Sequence, residues 1–532
     1  MIRWLYVKGH GTLDLVSDTY TCLIKKRGGP LHIFAKGSKT ADLIFRPDAG
    51  FSENMGEFTP EFEDNLSHGN GDKLDLSYIC EDGVKVTVSF YDDRIEVKAD
   101  RNGEEKLPDT FYIGRGSMLY TNQIFSPSQP DFHIPIGHYL RPEEEVDLSP
   151  GLMTPAPWCF SAQNDNLKWM GFSLEPWEDE LNFVGFASAP GVGRNFAWKI
   201  IYNGCMPAVK KLSFPTFVMR FGMKDEFEVF KRHTEHLLKC GKVQKPEKIY
   251  GWHRGVSACG WRWQNKIGTA PTQELYEKNI AMLEENGIDY DILIIDDFWG
   301  EAKEHGIWKA CERWQDLRGF IDVRHAEGRK VLLWACTYAD GIPKEEQTSD
   351  RLHNIDSEKW QQRLREDAHR MLSSDEGCYN ADGIKFDFTA LYPTTPECSH
   401  YGVGYILERY RMVAEAMREV KPDAMLLNQS TNPYFMKYQS AIRLNDFTAL
   451  PCHGLEEMQI RSKVAHAVGM GLPVDSDHIS CGTISYEGGE DFFREMESVG
   501  EISLYLNEDD LKDPEFVEIV KEISRRRVLR DK

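Results

Sequence analysis

Four short motifs set acidic and basic side chains close enough in sequence to act on one substrate. They are Asp296-Asp297 in LIIDDFW, Lys385-x-Asp387 in GIKFDF, Arg443-x-x-Asp446 in IRLNDF and Asp475-x-Asp477 in LPVDSD. If GIKFDF is a strand, Lys385 and Asp387 point to one face, because side chains at i and i+2 share a side. A buried ammonium–carboxylate pair seldom improves stability over apolar packing, which argues for a use beyond structure. Lys385 would keep Asp387 ionised and could donate to a substrate hydroxyl. Cleavage of a glycosidic bond needs two such carboxyls, one ionised and one holding a proton. Trp252, Trp299 and Trp334 accompany the motifs. Indole faces pack on the C–H surface of a sugar while carboxylates accept hydrogen bonds from its hydroxyls. Each residue also has a structural reading: Asp387 as a mere ion-pair partner, Asp296 and Asp297 as caps of a turn, the tryptophans as packing.

The elements that would position these groups can be counted. Beyond Ile249 short apolar runs alternate with amphipathic helices, which is the pattern of βα units around a parallel sheet. The runs are KIYGW (248–252), YDILIIDD (290–297), KVLLW (330–334), GIKFDF (383–388), AMLLNQ (424–429), AIRLND (441–446), LPVDSD (472–477) and EISLYL (501–506). Eight such strands predict a closed (β/α)8 barrel, whose functional groups collect at the C-terminal strand ends. Those ends carry the four motifs, with Trp252, Trp299 and Trp334 at or just past strands one to three. A final helix near 513–526 closes the ring, leaving no room for a further domain.

From the start to about Phe221 the chain shows short alternating runs broken by Gly, Asp, Asn and Pro, an all-β texture. VKVTVSF and RIEVKA, joined by an acidic turn, form one pair, with Val84, Val86 and Val88 on one face. The expected organisation is an antiparallel β-sandwich over 1–224, a helical linker over 225–247 and a catalytic barrel over 248–532. His233 and His236 on the linker helix form an HTEH pattern without a third ligand in sight, and read as surface residues.

At 532 residues, with 41% apolar and 12% aromatic content, the chain is long enough for two folded domains. Its 85 acidic against 63 basic residues give a formal charge of -22. Such a surface repels polyanions, which argues against nucleic acid and against an anionic membrane. No cationic leader or membrane-length apolar run is present, and the twelve cysteines are scattered without a Cys-x-x-Cys pair. The reading is a cytoplasmic protein with reduced thiols. Neither a dinucleotide loop nor a Walker motif is found, so no cofactor is expected, and no metal either, since the strand ends carry Asp, Lys and Arg rather than His.

GWHRGVS, LIIDDFW, GIKFDF and IRLNDF stand in the order and at the strand positions of the motifs of glycoside hydrolase clan D. The chain resembles most the family 36 α-galactosidases and their raffinose- and stachyose-synthase relatives. The resemblance spans roughly 248–480, and the β-rich half agrees with the supersandwich that precedes the barrel in that family. It implies Asp387 as nucleophile, Asp446 as acid/base, and Asp296 and Asp297 as ligands of the sugar's O4 and O6. Lys385, Arg443 and the tryptophans would complete the substrate site. Many members carry a Cys-Gly pair at the end of strand five, where this chain has Asn428 and Gln429, which would face the sugar's O2 region. The implied activity is a retaining exo-acting α-glycosidase, α-galactosidase first, with a carbohydrate substrate; many relatives are oligomers, so a homo-oligomer is an expectation of the resemblance alone. A transglycosylase, a glycosidase of another glycone and a non-catalytic sugar-binding protein are the alternatives. Asp475 and Asp477 stand beside Asp446 as candidates for the proton donor.

Overall fold

The computed structural model describes the whole chain except residues 26–28, 53–67, 81–82, 103–108, 129–137, 152–154, 205–210, 268–270, 301–305, 307, 445–453, 478–497 and 530–532. It divides into two compact units. The first comprises Met1–Pro150, Pro155–Val243 and His400–Gly404, the second Gly151–Thr154, Gln244–Ser399 and Tyr405–Lys532.

The first unit is built of two antiparallel sheets, of ten and nine strands. The pair expected from VKVTVSF and RIEVKA is present: Val84–Phe90 and Arg94–Asn102 run antiparallel with Val88 opposite Val97. Alternation does what it should, since Val84, Val86 and Val88 are buried while Lys85 between them is exposed. The sheets meet face to face through aromatics, Trp198 of one lying 4.5 Å from Phe217 and 4.9 Å from Phe172 of the other, centroid to centroid. The helix Glu228–Cys240 packs on the second of these sheets through Val229, Phe230 and Leu237. It can lie close because Gly171 beneath it lacks a side chain: a Cβ there would meet Val229 Cγ2 at 2.5 Å. On this helix His233 is fully buried, which corrects its reading as a surface residue. The apolar spacing that marks the buried face includes His233, one turn on from Val229 and Phe230.

The second unit is a parallel barrel of eight strands. They are β1 (Ser257–Cys259), β2 (Ile292–Ile295), β3 (Lys330–Cys336), β4 (Gly383–Asp387), β5 (Met425–Asn428), β6 (Ala441–Arg443), β7 (Val474–Asp475) and β8 (Ser503–Leu504). Neighbours follow chain order, β1 also pairs with β8, and a parallel bridge between Asp475 and Glu501 joins the β7 and β8 segments to close the ring. Helices cover the outside, several opened by side-chain caps: Thr272 accepts from Leu275 N–H, Asp316 from Gly319 N–H and Asp513 from Phe516 N–H.

The first strand departs from expectation. KIYGW is not a strand; Gly251–Arg254 forms a 3-10 turn, and β1 is the Ser-Ala-Cys run that follows. Small residues without β-branching carry almost no strand signal, whereas the aromatic run upstream imitates one. As a result Trp252 lies before β1, below the apolar cluster of the barrel and 5.4 Å from the ammonium of Lys330, the first residue of β3. It is therefore at the N-terminal end, away from the motif carboxylates, and its expected role as a sugar wall is withdrawn.

Period-two alternation sorts the other strands into inner and outer rows. Ile292 and Ile294 of β2, Leu332 of β3, Met425 and Leu427 of β5 and Ala441 of β6 form one buried interior cluster with Cys259 and Tyr505. Continued upward with the same parity, these rows deliver Asp296, Trp334, Gln429 and Arg443 to the C-terminal end, where Lys385 and Asp387 stand on β4.

Candidate active site

Lys385 and Asp387 do share the inner face of β4, but they answer to different partners. The Lys385 ammonium lies 2.6 Å from Asp296 Oδ2, with Tyr505 Oη at 3.5 Å. Burial opposes its charge, yet Asp296 outweighs burial and holds the ammonium above its usual range. In return, Lys385 and the Cys259 thiol, 2.7 Å from the same oxygen, keep Asp296 below the usual carboxylate range against the effect of burial. Asp296 Oδ1 accepts the N–H of Asp297 at 2.9 Å. The backbone N–H of Asp296 donates to the Tyr276 hydroxyl, which reaches that point only because residue 260 is glycine; a Cβ there would lie 1.9 Å from the hydroxyl oxygen.

The cation on Asp387 is Arg443, a correction to the expectation that Lys385 would serve it. Arg443 Nη2 donates to Asp387 Oδ1 at 2.8 Å, and Nη1 lies 3.2 Å from Asp477 Oδ2. Gln429 Nε2 donates to the same Oδ1, and Trp334 Nε1 donates to Oδ2 at 2.9 Å. Asp387 is 6% exposed and Arg443 2%, so these bonds lie in a dry environment where each is stronger than in water.

Around this grip stand two carboxyls that are pushed toward the protonated form. Asp297, half-buried, is pushed up to about 7, first by burial and then by the nearby charges of Asp296 and Asp387. Asp475 on β7 is pushed up to about 7 by burial and by Asp477, whose N–H donates back to its Oδ1 at 2.8 Å. Asp446 lies outside the described residues.

Three bulky residues leave their strands in the left-handed region that disfavours side chains: Phe298 after β2, Phe388 after β4 and Asp477 after β7, with φ of 66°, 52° and 49°. Such strain clusters at functional sites, and neighbours hold it in place. Arg313 donates to the Phe298 carbonyl at 2.7 Å and Thr337 to the Phe388 carbonyl at 2.5 Å.

The remaining expected ligands are placed differently. Trp299 is 1% exposed, and its indole donates to the Trp334 carbonyl at 2.8 Å, so it packs and braces instead of walling a sugar. Trp334 turns its N–H to Asp387. Asn428 is fully buried; its amide donates to the Phe386 carbonyl, to Thr389 and to Gln429 Oε1, at 2.7, 3.0 and 3.3 Å. It is a framework residue here. Aromatic surface at this end includes the half-buried Trp308, whose ring centre is 6.2 Å from that of Trp334, the half-buried Phe388, 6.3 Å from the same ring, and Phe298, 43% exposed. Sequence reading missed Gln429's partner, although parity with Met425 and Leu427 places it inward. It also missed Cys259 and Tyr505, hidden by the misplaced first strand and by the shortness of β8. Among the described residues no three His, Cys, Asp or Glu side chains are grouped so as to hold a metal ion, and no helix is long and apolar enough to cross a membrane.

No family model matches the chain, and no curated protein matches its sequence. Solved structures do match. A family 36 α-galactosidase from Geobacillus stearothermophilus, in complex with raffinose, aligns over 97% of this chain and 86% of its own, with a TM-score of 0.55 at 12% identity. The α-galactosidase of Lactobacillus brevis aligns over 98% and 84%, with a TM-score of 0.54 at 11% identity. A family 31 sulfoquinovosidase from E. rectale aligns over 97% and 81%, with a TM-score of 0.59 at 11% identity. The chain thus has the fold of these glycoside hydrolases, a β-sandwich unit followed by a (β/α)8 barrel.

Proposed function

We propose that the protein is a retaining, exo-acting α-glycosidase, with α-galactosides as substrates, that removes terminal sugars through a covalent glycosyl-enzyme. The observation that carries this reading is the pair of opposed environments at the barrel mouth. Asp387 is gripped by three donors, while Asp297 and Asp475 are pushed toward neutrality. Carboxyls set in such different surroundings are what an acid–nucleophile mechanism uses.

In the first step an oxygen of Asp387 bonds to the anomeric carbon as its bond to the leaving oxygen breaks, and that oxygen takes a proton from the acid. Asp446 is assigned as that acid on the strength of its Arg-x-x-Asp motif. In the second step water attacks the same carbon, giving its proton to the acid/base residue and restoring Asp387, with net retention. For retention the two carboxyls should lie roughly 5.5 Å apart. Of the acidic pair on β2, Asp296 already holds Lys385, so Asp297 is the member assigned to the sugar's hydroxyls.

The test is a set of nitrophenyl α-glycosides: galactoside, glucoside and N-acetylgalactosaminide side by side. Cleavage of the galactoside, with the α-anomer of the free sugar appearing first by NMR, is the expected result. Preference for another glycone replaces galactose in the assignment, and first release of the β-anomer replaces retention by inversion. Sugar products longer than the substrate mark a transglycosylase. Binding without cleavage of any glycoside leaves a sugar-binding protein.

A further inference from the structure

Asp387 is held on both oxygens, but unequally. Oδ1 accepts from Arg443 and from Gln429, which fills both of its lone pairs. Oδ2 accepts from Trp334 at 2.9 Å and, among the described residues, from no other group, so one lone pair remains for a bond to carbon. The Gln429 amide is itself oriented. Asn428 donates to its Oε1 at 3.3 Å, which turns the amide nitrogen toward Asp387, and Asn428 is fixed in turn by the Phe386 carbonyl at 2.7 Å. The two residues that end β5 therefore form a relay running from the β4 backbone to the carboxylate. Gln429 is 2% exposed, and this bond is where its amide goes.

We propose that Gln429, oriented by Asn428, is a positioning residue for Asp387: with Arg443 it pins Oδ1 so that Oδ2 is the oxygen that attacks. This rests on the glycosidase reading above. Loss of the pin lets the carboxylate rotate about its Cβ–Cγ bond, and a nucleophile misplaced by an ångström costs up to about a hundredfold in rate.

Trapping tests it on the full chain. A fluorinated α-glycosyl fluoride of the sugar the enzyme cleaves forms a carbon–oxygen bond to Asp387 as its carbon–fluorine bond breaks and fluoride leaves, and intact mass follows the adduct. The wild type should label on Asp387. Gln429→Met, of similar volume, should label about tenfold to a hundredfold more slowly at saturation, with little change in the half-saturating concentration. Gln429→Glu sets a second carboxylate against Oδ1, so the acid limb of its labelling rate against pH should move up by about one unit or more. Asn428→Ala, which frees the Gln429 amide to turn and also gives up the bonds to Phe386 and Thr389, should show a smaller slowing of the same kind in a protein that still folds. Equal saturating rates in wild type and Gln429→Met would overturn the inference and leave the glycosidase intact. So would slow labelling of Gln429→Glu with an unmoved acid limb, since packing damage alone has that result. A folded wild type that is never labelled would overturn the glycosidase reading itself, and the inference with it.

Discussion

Each unit of the molecule buries a cluster of charged side chains, and the clusters differ in how their carboxyls are pushed. In the sandwich unit Glu175 is fully buried and over-supplied with donors. Arg220 Nη2 lies 2.5 Å from its Oε1, His236 Nδ1 2.7 Å from its Oε2 and His233 Nδ1 3.4 Å from its Oε1. Burial opposes ionisation there, but Arg220 and the histidines overcome it and hold Glu175 well below the usual carboxylate range. In the barrel, Lys385 lies 2.6 Å from Asp296, and Arg443 lies 2.8 Å from Asp387 and 3.2 Å from Asp477. Asp296 is held below the usual carboxylate range there, whereas Asp297 and Asp475 are pushed up to about 7. Depth of burial therefore does not separate the two clusters. What separates them is the direction of the push: Glu175 is lowered, whereas in the barrel Asp297 and Asp475 are raised beside a lowered Asp296, the condition under which a proton and an ionised oxygen can stand side by side.

Substitutions can break this contrast, and the largest effect belongs to Asp387. Asp387→Asn keeps the shape and loses the attacking oxygen, so turnover should fall on the order of 10⁴-fold or more in a protein that still folds. Near-normal turnover in the folded variant would remove the nucleophile from Asp387. Next comes Asp446→Ala, whose loss should scale with the leaving group's need for a proton. Sugar leaving groups should lose several orders of magnitude, while a nitrophenolate leaves unaided and still forms the glycosyl-enzyme. Azide, which attacks without deprotonation, should then restore turnover and yield an α-glycosyl azide. A β-azide means direct displacement; no rescue, with equal losses on both substrates, moves the acid to Asp475 or Asp477.

In the sandwich the expected damage is of another kind. Glu175→Gln leaves the buried Arg220 without its counter-charge and should cost about 3–5 kcal/mol of stability, read by calorimetry. The activity per folded molecule should stay as it was. A variant as stable as the wild type would show that the donors around Glu175 merely neutralise one another's burial cost.

Much of this was legible in the sequence where a single physical rule governs. Seven of the strands and the inward pairing of Lys385 with Asp387 follow from apolar run length and period two, and VKVTVSF announces its hairpin by alternation. The failures lie where short-range pattern and three-dimensional demand part. Ser257–Cys259 is a strand because its neighbours on both sides pair with it, not because Ser-Ala-Cys prefers one. Trp299 and Trp334 are strand-end tryptophans, as a sugar wall would need, but their N–H groups are committed to a carbonyl and to Asp387, and residue type does not reveal hydrogen-bond direction. The partner of Lys385 was misjudged for a related reason. Its nearest acid in sequence is Asp387, while a long flexible side chain in a ring of strands reaches Asp296 across the barrel instead.

The last expected effect is one of pH, and it sets the two clusters against each other by sign. Glu175 ionises more readily folded than unfolded, so its contribution is present above its unfolded value near 4.5 and is lost as pH falls through the folded value. Asp475 is the reverse. Its unfolded value is 3.8 and its folded value about 7, so between these the unfolded chain gives up a proton that the folded barrel keeps. Stability then falls as pH rises through that window, by at most about 1.4 kcal/mol per unit for one such group, and the loss persists above it. Asp475→Asn removes the titration while keeping an amide in place of the acid. Its melting temperature, measured by calorimetry from pH 4 to pH 8, should therefore fall less with rising pH than that of the wild type, and the two curves should converge at the acid end. Parallel curves would show that Arg443, 2.8 Å from Asp387 and 3.2 Å from Asp477, serves Asp475 as well, and that the barrel cluster is better balanced than its count of acids implies.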